Sequence, residues 1–263
     1  MGKVSKPVKK PTIEELFWRF PHIGEKIFKK LSNKNLFKCK LVRKSWYRCI
    51  INQKFYQQRA YYEKLQKNVD EWGMTPLHEA AADGEYLECK SIIENVDNKN
   101  SADKNGRTPL HYAVEYGHLD VCRLIIENVD DKNPAMDDNV KPENNGWTPL
   151  HIAANKGHLN ICQLIFEHVV DKNPANNSGR TPLHLAAHNG FFDVCQLIIE
   201  NVEDKNPAAD DGCTPLHIAA GFGILDVCQL IIENVEDKNP ETNDGKTPRD
   251  LANHIEIIEL FES

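Results

Sequence analysis

At 263 residues, with 40% hydrophobic and 27% charged, the chain has the length and composition of one large or two small folded domains. No stretch approaches the roughly 18 uninterrupted apolar residues of a membrane span, and no apolar signal core follows the lysine-rich start, so neither a membrane anchor nor secretion is expected. Charge divides the chain: residues 1–67 carry 18 Lys/Arg against four acids, a net of +14, and the remainder carries 14 against 35, a net of −21, so the two parts suit different partners.

In chain order, residues 1–12 are a Lys/Pro tail that is expected to be disordered. Lys6-Pro7-Val8-Lys9-Lys10-Pro11 would serve as a weak nuclear-import patch, although a solvated tail is the simpler reading. From 13 to 65 the apolar residues are too regular for a linker. Ile23, Ile27, Phe28 and Leu31 share one helical face, Ser32 to Asn35 form a turn or cap, Leu36, Cys39, Leu41, Val42 and Trp46 follow, and another helix is expected from about Phe55. Three short helices make a small core that gains from a partner.

The order Phe20-Pro21, Ile27-Phe28-x-x-Leu31-Ser32, Leu36, Val42, Trp46 resembles the F-box. That resemblance implies binding to the Skp adaptor of Skp-cullin-F-box ubiquitin ligases, and through it to a cullin scaffold. It makes Phe20, Pro21, Ile27, Leu31, Leu36, Val42 and Trp46 the candidates for the adaptor interface or for the core behind it.

The second part repeats. Thr-Pro-Leu-His begins at Thr75, Thr108, Thr148, Thr181 and Thr214, and a degraded Thr-Pro-Arg-Asp begins at Thr247, at intervals of 33, 40, 33, 33 and 33. Each Thr is an expected N-cap, with Pro at the first helical position, where its missing N–H is no loss. A glycine nine residues on ends the first helix, and a second follows with apolar residues at helical spacing, as in Leu119, Val121, Cys122, Ile125 and Ile126. The period and tetrapeptide resemble the ankyrin repeat from 70 to 263, with five full copies and one truncated C-terminal cap. The expected fold is therefore all-α: a three-helix F-box-like module, then a solenoid of helix pairs with β-turn or hairpin tips. Seven extra residues near 134–146 read as a surface loop. Val96, Val129, Val169, Val202 and Val235 stand where the family usually has a helix-ending glycine, and a β-branched residue resists the positive φ that such an ending uses.

The period also bears on chemistry. Cys89, Cys122, Cys162, Cys195 and Cys228 each lie 14 residues after their Thr, with no C-x-x-C among them, and read as small buried apolar residues suited to a reducing compartment. His78, His111, His151, His184 and His217 read as structural, with a ring nitrogen bonding backbone of the next repeat. With no phosphate loop, metalloprotease motif or nucleophile elbow, the chain reads as non-catalytic and free of cofactor or metal.

Resemblance to the family puts the binding contacts four, three and one before each Thr and seven and eight after it. Trp72, Met74, Arg107, Tyr116, Trp147, Lys156, Arg180, His188 and Phe222 are thereby the target-binding candidates, with Trp147 foremost. The acidity around them suits a basic protein target, and nucleic acid is disfavoured. The leading expectation is a cytoplasmic or nuclear substrate-recognition subunit of a ubiquitin ligase. The alternative is an ankyrin scaffold or inhibitor whose N-terminal helices only cap the stack.

Overall fold

The chain divides into two compact units, Met1–Tyr56 and Gln57–Ser263, and a computed structural model describes residues 69–136 and 146–262 of the second. The tail, the F-box-like module and the middle of the inserted loop lie outside the described residues. Among those described, all regular structure is helical, in the order α1 (Pro76–Asp83), α2 (Tyr86–Ile93), α3 (Pro109–Glu115), α4 (Leu119–Ile126), α5 (Pro149–Lys156), α6 (Leu159–Phe166), α7 (Pro182–Asn189), α8 (Phe192–Ile199), α9 (Pro215–Phe222), α10 (Leu225–Ile232), α11 (Pro248–Leu251) and α12 (Ile255–Leu260). In the five full repeats each odd-numbered helix packs on its own even-numbered partner. Odd-numbered helices also pack on those of the adjacent repeats, as α11 does on α9, and α12 packs on α10. None of these helices is long and apolar enough to cross a membrane.

Helices this short are marginal alone, so the local signals that start and stop them matter. Each first helix opens at a Thr in extended conformation followed by Pro. Four of the six close on a left-handed glycine; α9, for example, ends at Gly223 with φ +76°. The turn tips between repeats need the same freedom. At Gly212, φ is +78° and a Cβ would come within 2.6 Å of the Asn243 amide nitrogen in the next tip. The tips form a ladder of two-bond turns. Ala209 N–H donates to Cys213 C=O at 2.9 Å, Gly212 N–H to Ala209 C=O at 2.8 Å, and Asp210 N–H reaches back to Ser178 C=O in the preceding tip at 3.1 Å.

The second helices end differently, and this resolves the valine substitution. The residues that cap their C-terminal ends are Glu94, Glu127, Glu167, Glu200 and Glu233, all in right-handed helical geometry, and among the described residues no residue other than glycine has positive φ. A side chain does the capping instead. The Nδ2 atoms of Asn95, Asn128, Asn201 and Asn234 donate to Ser91, Leu124, Leu197 and Leu230 C=O at 2.6, 2.8, 2.9 and 2.8 Å. In the third repeat His168 Nδ1 does the same to Leu164 C=O at 2.9 Å. With the free carbonyl satisfied in this way, the valine that follows can stay at negative φ, and Val96 and Val129 are buried.

The core is one continuous apolar column built from Leu110, Leu150, Leu183 and Leu216 on the first helices and Ile125, Ile165, Ile198 and Ile231 on the second, all fully buried. The five periodic cysteines sit in the same column with no exposure, and burial pushes each thiol up to about 12, which leaves them inert as nucleophiles.

The five motif histidines are buried and tie each repeat to the next. Thr N–H donates to the ring Nδ1 at 2.9, 3.0, 3.1, 3.0 and 3.1 Å for His78, His111, His151, His184 and His217. A backbone amide can only donate, so Nδ1 accepts and the ring proton sits on Nε2. That nitrogen donates across the interface to Arg107, Trp147, Arg180, Cys213 and Lys246 C=O at 3.0, 3.4, 3.1, 3.0 and 3.0 Å. The longest of these straps leads to Trp147, just after the inserted loop, where Met136 N–H also donates to the Trp147 carbonyl at 2.8 Å. In the last repeat Asp250 occupies the histidine position and accepts from Thr247 N–H at 3.0 Å. An ionised carboxylate has no proton to pass on, so the relay ends there.

Candidate protein-binding groove

An α-helix starting at Thr-Pro points the residues four, seven and eight positions after the Thr to one side, because these spacings share a face. Stacking six such helices lines up those positions beside the turn tips. The structure gathers the sequence-predicted contact residues on this surface into two groups.

The first lies on α3 and α5. Lys156 Nζ and Arg107 both pair with the Glu115 carboxylate, at 2.8 and 3.4 Å, and the Arg107 guanidinium also lies 4.3 Å from the centre of the Tyr112 ring. Tyr112 in turn donates its hydroxyl to Asp103 at 2.7 Å. Arg107 is thus half-buried and committed to its own repeat, while Tyr116 beside it is 61% exposed. Trp147, the foremost candidate, lies at the tip that follows the inserted loop. It is half-buried against the core, and its ring lies nearly parallel to that of His151, 6.2 Å away. Its position directly after the tip glycine sets the indole on the histidine strap, with part of its surface still open at the tip. Trp72 is exposed and Met74 half-buried at the first tip, where Trp72 C=O accepts from Lys104 N–H in the tip of Arg107 at 2.9 Å.

The second group forms a groove of about 630 Å³ across α7, α9 and α11. Arg180, His188 and Phe222 meet here. The Phe222 ring stands edge-on to His188 with centres 4.3 Å apart and remains 62% exposed. Arg180 pairs with Asp211 of the next tip at 2.6 Å. The floor is apolar: Leu185, Ile218 and Leu251, each four residues after its Thr and half-buried.

Sequence reasoning omitted that floor, together with Gly221 and the acids Glu115 and Asp211. The signal for the floor was available, since a residue four after the Thr lies one turn from those seven and eight after it. The ion pairs were not readable, because Arg180 and Asp211 are 31 residues apart and meet only when tips stack. Among the described residues no group of three or more His, Cys, Asp or Glu is arranged to hold a metal.

Family models agree with this geometry. The ankyrin-repeats model that spans three copies matches residues 53–137 and 131–209, and the single ankyrin-repeat model matches 211–243. The chain belongs to the ankyrin-repeat family, whose stacked helix pairs bind protein partners. No F-box model matches residues 13–65, and no catalytic domain is found. No curated protein matches the sequence.

Proposed function

We propose that this chain is the substrate-recognition subunit of a Skp-cullin-F-box type ubiquitin ligase, with residues 13–65 docking on the Skp adaptor and the ankyrin groove holding the target. For target capture, the observation that carries the reading is the α7–α9–α11 groove, where apolar floor, exposed aromatic and charged tips converge as at a protein interface. The adaptor half rests on the ordered anchors Phe20, Pro21, Ile27, Leu31, Leu36, Val42 and Trp46, with their basic surroundings as the complement to an acidic partner. Catalysis belongs to the other ligase subunits. This chain contributes proximity, raising the effective concentration of a target lysine near the conjugating enzyme. Such a role calls for a cytoplasmic or nuclear location, where free thiols persist.

Mixing the full chain with purified Skp adaptor tests the adaptor half. A stable complex is expected, weakened by Pro21→Ala combined with Leu31→Ala, and absence of a complex ends the ligase reading. A scaffold or inhibitor is the competing reading, supported by a family match confined to the repeats and a short flank. It is distinguished by a target whose cellular half-life does not change when the chain is removed.

A further inference from the structure

We infer that the α7–α9–α11 groove takes a short basic segment of a protein target and seats one bulky apolar side chain of that segment over Gly221. This rests on the reading that the stack holds the target, but not on the ligase assignment.

Shape is the first argument. Seven residues after the Thr, the preceding repeats carry Ala82, Glu115, Asn155 and His188, whereas the fifth carries Gly221. The missing side chain opens a space bordered by His188, Phe222 and Leu251, within a groove whose volume of about 630 Å³ falls in the range of ligand pockets. Backbone geometry does not demand this glycine. Gly221 lies inside α9 with no positive φ, and a Cβ there would meet only Leu251, at an ordinary 3.8 Å from its Cβ. A helix-interior glycine without a conformational need is costly, and the open space is what it provides here.

Chemistry of the walls selects what enters. Leu185, Ile218, Leu251 and the exposed Phe222 offer dispersion and apolar burial. The polar lining is engaged within the protein: His184 and His217 in their straps, Arg180 with Asp211, and Asn253 donating to Gly221 C=O at 3.5 Å. Such walls suit a Leu, Met, Phe or Trp side chain. Charge selects the flanks. Arg180 is neutralised by Asp211, and on the adjoining tips the exposed Asp210 and Asp244 outnumber the exposed Lys246, none of the three in an ion pair among the described residues, on a segment with 14 Lys/Arg against 35 Asp/Glu. Lysines or arginines beside the anchor are attracted to that field, and an acidic segment is repelled.

The test pans the full chain against a phage-displayed library of random peptides and then measures synthetic versions of the enriched sequences by fluorescence polarisation. Enriched sequences are expected to pair a bulky apolar residue with Lys or Arg and to bind more weakly as salt rises. Gly221→Leu, which fills the space from a helix that tolerates it, is expected to weaken binding at least about tenfold with the melting temperature unchanged or raised. Should that variant melt early, Phe222→Ala trims only an exposed side chain and decides by the same measure. Enrichment of acidic sequences, no enrichment, or equal binding to the variants overturns the inference. So does a dimer of the chain, seen by sedimentation equilibrium, that Gly221→Leu dissolves, because the groove would then be filled by a second copy. Adaptor binding is measured separately, so a failed adaptor complex leaves this inference standing and a failed peptide screen leaves the adaptor reading standing.

Discussion

His184 shows how much one side chain does in this stack. Its ring accepts from Thr181 N–H at 3.0 Å and donates to Cys213 C=O at 3.0 Å, so it closes the start of α7 and fastens the fourth repeat to the fifth. Removing it strands a buried donor and a carbonyl, each at about 1–3 kcal/mol. His184→Ala is therefore expected to lose about 2–6 kcal/mol of stability, read as a lower urea midpoint. The same geometry sets a pH dependence. Desolvation lowers the pKa of all five motif histidines, His151 and His184 to about 4 and His111 to about 3, outweighing the neighbouring carbonyls that favour the charged ring. A folded-state pKa below the unfolded value of about 6.5 means that the unfolded chain binds more protons under acid, so the stabilisation present above that pH is lost as pH falls towards 4. Urea midpoints measured across this window should fall steeply as pH drops below about 6.5, and a flat profile between pH 7 and 4 would contradict the protonation states assigned here.

At the scale of elements, the helix ends divide the work between two devices. In the five full repeats first helices end at a left-handed glycine, with Gly117 one residue past Tyr116 in the second, and second helices at an asparagine, or His168, that folds back onto its own last turn. Asn234 donates to Leu230 C=O at 2.8 Å from an exposed position, so Asn234→Ala should cost about 0.5–1.5 kcal/mol in a urea titration. Helix positions were legible from the sequence because Thr-Pro and the later glycine are local signals. The capping role of the asparagines was not, since the sequence shows only that a glycine is missing and not which neighbouring side chain replaces its function.

The described repeats stack in a row, each on its neighbours, so their stability sums over repeats and interfaces. The fourth repeat buries Leu183, Val194, Cys195, Ile198 and Ile199 between two partners, whereas the last described one buries Ile257 on a four-residue and a six-residue helix. Excising residues 181–213 should accordingly lower the urea midpoint more than truncation after residue 246. It breaks two fitted interfaces and replaces them with one that is not fitted. The family and its period were fixed by the sequence alone, because Thr-Pro-Leu-His, the glycines and the apolar spacing are each set within one unit. The five cysteines and five histidines could be assigned to architecture for the same reason. The groove required tertiary structure. Its floor, its Arg180–Asp211 pair and the space over Gly221 are made of residues 30 or more apart in sequence, and they become neighbours only when successive repeats stack. Stacking likewise sets how much of Trp147, the foremost candidate contact, stays open, since it is half-buried against the core with its ring on that of His151.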